Sequence, residues 1–310
     1  MANESSKPLN ATSMNIFKVA TDSVLAHFDY STECPWGTCD SGKNRFFNPD
    51  WPVLETLLSI PVAQHAQSQS GRLGKAIDSW IAHELRRAGF PDSEIFPQRG
   101  KHRVMPAAIK ELKESAFEQR DEKLFRKLDA FGKDQFSVVG EFYPKQIDVF
   151  MGSLERGPDL MVSTKSMSSS FNKNISNRYE EFLGDAENLR TRFPLATISV
   201  VYLVDSSILE SPSAFKRLTE MLLRLDRRGR YDSATLIVEE VLSGGVSWKG
   251  RKISIPDVEG LVSDVKCVSV VEDSVPEELR ISNSISKMIK KVLERLPGAY
   301  HEEARRRMKG

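Results

Sequence analysis

The sequence predicts an α/β fold with a mixed central sheet of about five strands flanked by helices, and three observations predict it. The apolar spacing is helical over much of the first 130 residues, then shifts near Phe136 to short β-branched and aromatic runs. Further on, helical segments alternate with wholly apolar runs, as strands buried on both faces do. The chain has 310 residues, of which 40% are hydrophobic and 28% charged, enough to bury a full core.

Residues 1–70 read as a helical N-terminal extension, with helix-like stretches at 15–28 and 52–60 around a Pro-, Gly- and Asn-rich segment at 30–50. The main domain is expected over 71–310. It opens with an amphipathic helix at 71–90, where Leu73, Ile77, Trp80, Ile81, Leu85 and Ala88 share a face and Gly89 stops the helix before Pro91. A helical insertion is predicted within 91–135. Its lysine- and glutamate-rich part, 107–131, is expected to turn Ile109, Leu112, Phe117, Leu124, Phe125 and Leu128 inward.

Three consecutive strands are implied at 136–142, 146–151 and 160–163, the last after a turn at 152–158 that takes in the dipeptide Pro158-Asp159 as its close. A helix at 174–192, an apolar run at 196–204, a helix at 214–228 and an apolar run at 235–241 complete the alternation. The end, 282–307, is a basic amphipathic helical region with Ile285, Met288, Ile289, Val292 and Leu293 on one face. No internal repeat or low-complexity tract interrupts this order.

Lysine and arginine number 44 against 43 acidic residues, so the net charge of +1 does not announce a nucleic-acid binder. Local clusters at Arg224, Arg227, Arg228, Arg230 and at 305–309 suit either DNA contacts or plain solvated faces. No run reaches the length of a membrane span and the first ten residues are polar, so a cytoplasmic location is expected. Three cysteines, Cys34, Cys39 and Cys267, argue against a disulfide framework. Cys34 and Cys39 invite a zinc site, but His27 and His65 show no paired spacing with them.

The chemistry centres on Gln146-Ile147-Asp148-Val149-Phe150, where an aspartate interrupts an apolar strand and an unpaired carboxylate would be costly to bury. Across an expected hairpin, Val162-Ser163-Thr164-Lys165 sets Ser163 and Lys165 on one strand face by the period of two. A plainer reading makes Asp148 a turn residue and Lys165 a solvated strand end.

A helix carrying a glutamate (Glu84), then strands carrying Asp148 and Ser163-Thr164-Lys165, resembles the PD-(D/E)XK, restriction-endonuclease-like nucleases over about residues 71–207. That resemblance implies a restriction-endonuclease-like core and magnesium-dependent cleavage of double-stranded DNA at a specific sequence, by a type II enzyme acting as a homodimer. The chain departs from the pattern at Ser163, where most of the family has an acidic ligand, and serine alone binds a hard cation poorly. Some restriction enzymes with serine there draw a glutamate from the following helix, and Glu180 and Glu181 stand at that distance.

Helical geometry separates the two. Ile175, Tyr179, Phe182, Ala186 and Leu189 form an apolar stripe, with Asn174, Arg178, Glu181, Asp185 and Asn188 beside it, while Glu180 points nearly opposite. The resemblance thus implies Asp148 with Glu181, or Glu180, as magnesium ligands, Lys165 to orient or deprotonate the attacking water, and Ser163 acting through a water. Glu84 is equally readable as an ordinary exposed helix residue, and Glu141 is a further candidate ligand. The Ser-, Asn-, Lys- and Arg-rich segment 165–192 suits phosphate contacts. Two alternatives stay open: another nuclease of the same fold, serving repair, transposition or phage defence, or a DNA-binding protein that lost catalysis when the acidic residue became Ser163.

Overall fold

Six strands form one mixed sheet at the centre of the computed structural model, which describes residues 8–27, 34–38, 45–67, 70–100, 102–153 and 155–310. The middle of the sheet is β8 (Gly157–Met167), β9 (Thr197–Asp205) and β10 (Ser233–Val241), all parallel. β7 (Val149–Ser153) joins β8 antiparallel with Val149 opposite Val162, and β4 (Ile95–Phe96) forms that edge. β12 (Val268–Val270) closes the other edge against β10. Both edge strands are too short to show a period of two and are not expected from the sequence, so four of the five expected strands are among the six that form, and the fifth, at 136–142, lies elsewhere.

The apolar run Ile198–Val204 in β9 is buried on both faces because helices cover the sheet on each side. Leu160 and Val162 of β8 face α3 (Arg72–Arg87) and α9 (Ile281–Arg295), whereas Met161 and Met167 face α6 (Phe171–Arg192) and α7 (Pro212–Arg227). In α6 the stripe Ile175, Phe182, Ala186 and Leu189 is buried, as 3.6-residue spacing dictates.

The N-terminal helices α1 (Met14–His27) and α2 (Trp51–Ala63) are an extension in sequence but share the main core in space. Ile16, Phe17, Leu54 and Leu57 lie in one cluster with Trp80, Val162 and Leu203. The Ser59 hydroxyl also accepts hydrogen bonds from the amides of Cys267 and Val268, at 2.9 and 3.0 Å. β1 (Leu9–Asn10) pairs with β11 (Lys252–Ile253), and β2 (Trp36–Thr38) with β3 (Arg45–Phe47). The remaining helix of this part is the short α8 (Val258–Val262).

The structure alters three expectations. The segment 136–142 is not a strand of the central sheet: β5 (Phe136–Val139) pairs with β6 (Pro144–Ile147) in a separate hairpin, and the backbone bends at Asp148 before β7 begins. The insertion folds as α4 (Ala107–Glu118) and α5 (Glu122–Asp129), and of its six expected core residues only Leu128 is buried. Its two helices pack chiefly against each other, and Leu112, Phe117 and Leu124 stay exposed. Finally, Pro158-Asp159 lies within β8 rather than in the turn, which ends at Gly157 with φ +78°.

Three of the four arginines in the first basic cluster form exposed ion pairs within the chain. Arg224, Arg227 and Arg230 pair with Glu220, Glu278 and Glu187. In α10 (Glu302–Lys309), Arg305 donates to the carbonyls of Leu293 and Leu296, capping the end of α9. Cys34 is exposed and Cys267 buried, and Cys39 lies outside the described residues. Among the described residues no helix is long and apolar enough to cross a membrane.

Candidate active site

A cleft of about 450 Å³ opens where β8 ends, between the first turns of α3 and the bend at Asp148. Lys75 and Asp78 reach it from α3, Gln146 and Asp148 from the hairpin side, and Thr164 and Lys165 from β8. Asp148 is placed by the bend between β6 and β7, where its carboxylate accepts a hydrogen bond from the Thr164 amide at 2.9 Å. The Thr164 hydroxyl donates to Asp78 at 2.6 Å, so one residue clamps two carboxylates.

Burial pushes the Asp78 carboxyl well above its ordinary range, and the neighbouring charge of Asp148 pushes it further against the opposing pull of Thr164, Lys75 and Lys165. Burial also raises the Asp148 carboxyl, although the Thr164 amide, Lys165, Lys145 and Lys75 all favour its charged form. Two adjacent carboxylates held in a cleft with their charges incompletely compensated are a poor structural device. They are a good receptor for a cation.

Lys165 is ion-paired with Glu181 at 3.0 Å, and Glu181 is gripped from its other side by Arg178. Burial alone would raise the Glu181 carboxyl, but Arg178 and Lys165 together hold it below its usual value. Glu180 is exposed on the far side of α6. The structure therefore brings together Asp148, Lys165 and Glu181, and leaves Glu180 outside. Ser163 is buried in β8 and does not line the cleft.

Glu84 is not at this site. It lies six residues beyond Asp78 on α3, some 9 Å along the axis and on another face. Its buried carboxylate accepts from Arg87 and from the Asp50 amide, both at 2.6 Å. The acidic residue that α3 contributes is Asp78, which sequence reasoning passed over. The signal was present: Asp78 borders the apolar stripe of Ile77, Ile81 and Leu85, so its carboxylate had to be buried, by the argument already applied to Asp148. Glu141 is exposed at the tip of the β5–β6 turn, with its amide on the Asn188 carbonyl, away from the cleft.

A second carboxylate cluster lies at the start of β8, where ligand atoms of Glu94, Asp159 and His301 come within 4.8 Å of one another. Arg156 already occupies its centre, donating to Asp159 at 2.8 Å and to Glu94, while the His301 ring bonds Asp159 at 3.1 Å. Burial works against the Asp159 charge, but His301 and Arg156 more than offset it and keep the carboxyl below its ordinary value. Arg156 thus bonds both carboxylates of this cluster.

No protein-family model, no curated protein and no solved structure matches this chain.

Proposed function

We propose that this chain is a magnesium-dependent endonuclease with a restriction-endonuclease-like core, hydrolysing double-stranded DNA at a specific sequence as a type II restriction enzyme does. The observation that supports the reading is the Asp78–Asp148 pair clamped by Thr164, with Lys165 beside it in the same cleft. The donor set fits a hard divalent cation: two carboxylates with buried, mutually repelling charge, and the Gln146 amide in the same wall. Asp148 and Asp78 would hold the ion, which when bound neutralises charge developing on the scissile phosphate.

The remaining work falls to the chain's own groups. Lys75 and Lys165 line the cleft as cations that attract a phosphodiester. Lys165 orients the attacking water, and its ion pair with Glu181 holds the ammonium in position. The water oxygen bonds to phosphorus and releases a proton to solvent, one P–O bond breaks, and the departing alkoxide takes up a proton from solvent, so that one water is consumed. Glu181 thereby acts on Lys165 and not as the magnesium ligand that the family resemblance implies, and Glu180 faces solvent.

The experiment is direct: long duplex DNA is incubated with purified protein and magnesium, and the fragment ends are mapped. Discrete fragments that vanish with a chelator are the expected result. A smear would point instead to a nonspecific nuclease of the same fold, and DNA left intact with every divalent cation tried would sink the nuclease reading.

A further inference from the structure

We infer that Asp205 and Glu239 bind a hard divalent cation where β9 and β10 end, at a site separate from the cleft. In the parallel pairing of these strands Glu239 stands opposite Asp205, two residues beyond the facing pair Ile237 and Leu203. That pair is packed into the core that α3 and α9 cover, so by the period of two both carboxylates project from the same face, with their strands about 5 Å apart. Like charges directly opposite each other repel. Acidic pairs are ordinary on a surface, where water answers them, but Glu239 is only 4% exposed. Its Oε2 is sealed from solvent and has no hydrogen-bond partner among the described residues, and the charge acting on it is that of Asp205. A buried carboxylate oxygen left in this way is costly.

Chemistry selects the occupant. Asp205 spends Oδ1 on the amide of Ser207, at 2.9 Å, and on its hydroxyl, which leaves Oδ2 for a ligand. Glu55 on α2 shows the opposite arrangement beside the same strands: it accepts from the amide of Val270, the residue opposite Glu239 on β12, and pairs with Lys266 at 2.7 Å. A proton on Glu239 cancels its charge but leaves Oε2 unpaired. A cation between the two carboxylates removes the repulsion and supplies the missing partner. Among the described residues no histidine or cysteine ligand atom joins the pair, and oxygen donors alone suit calcium or magnesium, with water completing the shell. The place also suits a ligand, because open α/β sheets take theirs at the carboxyl ends of strands. Val201, the β9 neighbour of Thr164, lies four residues before Asp205, about 13 Å along the strand, so the Asp78–Asp148 pair is not shared. This site stands independently of the nuclease reading.

Isothermal titration calorimetry of the full-length protein with calcium and with magnesium, at a pH above about 8 where Glu239 is charged, tests it. In an Asp78→Asn/Asp148→Asn background, which removes the cleft carboxylates, one cation per chain is expected with a Kd of about 1 mM or tighter. Adding Glu239→Gln or Asp205→Asn should weaken that binding at least roughly tenfold, whereas adding Glu55→Gln should leave it unchanged. In a comparison that needs no cleft variant, calcium should raise the Tm of the wild type by more than that of Glu239→Gln. No binding in the cleft background, binding that survives Glu239→Gln, or equal calcium-induced shifts in Tm overturns the proposal and leaves a proton as the occupant. A wild type that binds no more cations than the Asp78→Asn/Asp148→Asn variant would instead remove the metal from the cleft and leave this site standing.

Discussion

Two aspartate sites lie at opposite ends of β8 and differ in how their charge is settled. At the start of the strand, Asp159 is surrounded by Arg156 and His301, and its carboxyl titrates below the ordinary range. At the other end, Asp148 and Asp78 share, among the described residues, only Thr164 as a direct hydrogen-bond donor, and the carboxyls of both are raised. The first arrangement contributes to folding stability, whereas the second costs stability at neutral pH, which protonation relieves and a bound cation would relieve. Burial alone therefore does not separate the two sites; how far neighbouring groups compensate the buried charge does.

The largest effect expected is on cleavage. Asp148→Asn and Asp78→Asn should each lower the rate of duplex cleavage by on the order of a thousandfold or more, as loss of a key electrostatic element in an active site does. In metal-free buffer the same variants should melt no lower than wild type, because each removes one of two repelling charges. A Tm drop comparable to that of Asp159→Asn would erase the distinction between the two ends.

Asp159→Asn should reverse this pattern. Among the described residues Arg156 then keeps only the Glu94 carboxylate, and His301 faces a neutral partner, which should cost about 1–3 kcal/mol of stability. Cleavage per folded molecule should persist. The acid dependence has opposite signs at the two sites. The lowered Asp159 carboxyl contributes stability that is present above pH 3.8 and lost as pH falls through its folded value. The raised Asp148 and Asp78 carboxyls instead favour the folded state at low pH and lose that benefit as pH rises past 3.8. Urea denaturation of each variant across the acid range measures both signs.

Glu239 sharpens the comparison outside the cleft. It is buried on β10 beside Asp205, and burial with that neighbouring charge pushes its carboxyl from 4.5 to about 8. Between these values the unfolded chain releases a proton that the folded chain retains, so stability should fall as pH rises from 4.5 towards 8 and then level off. Glu239→Gln should flatten that slope and stabilise the protein above pH 8, by an amount on the order of a few kcal/mol. An unchanged slope in the variant would show that Glu239 is compensated, as Asp159 is.

The smallest effects separate the two glutamates of α6. Glu181→Ala frees Lys165 and should lower cleavage by roughly ten- to a hundredfold, with magnesium dependence little altered. Glu180→Ala should cleave as wild type does. A steep rise in the magnesium requirement of Glu181→Ala would return Glu181 to the role of metal ligand.

The sequence by itself determined the features that depend on local periodicity. Alternating helices and apolar runs specified an α/β sheet, and a carboxylate among apolar neighbours singled out Asp148, although it sits at the bend between β6 and β7 and not inside one strand as the sequence suggested. Spacing of two put Lys165 in reach, and 100° per residue chose Glu181 over Glu180 for the side facing it. The tertiary structure decided what depends on neighbours distant in sequence. Whether α3 offers Asp78 or Glu84 to the cleft turns on Thr164, 86 residues from Asp78, and on Asp50, which claims Glu84. Whether Asp159 is a turn residue or a neutralised core charge turns on His301, 142 residues away. The apolar stripe of 107–131 read as core because periodicity reports that a face is apolar, not that anything covers it. The physical reason is common to all three: side-chain pattern is written residue by residue, but desolvation and its compensation are settled by whichever groups the folded chain brings into contact.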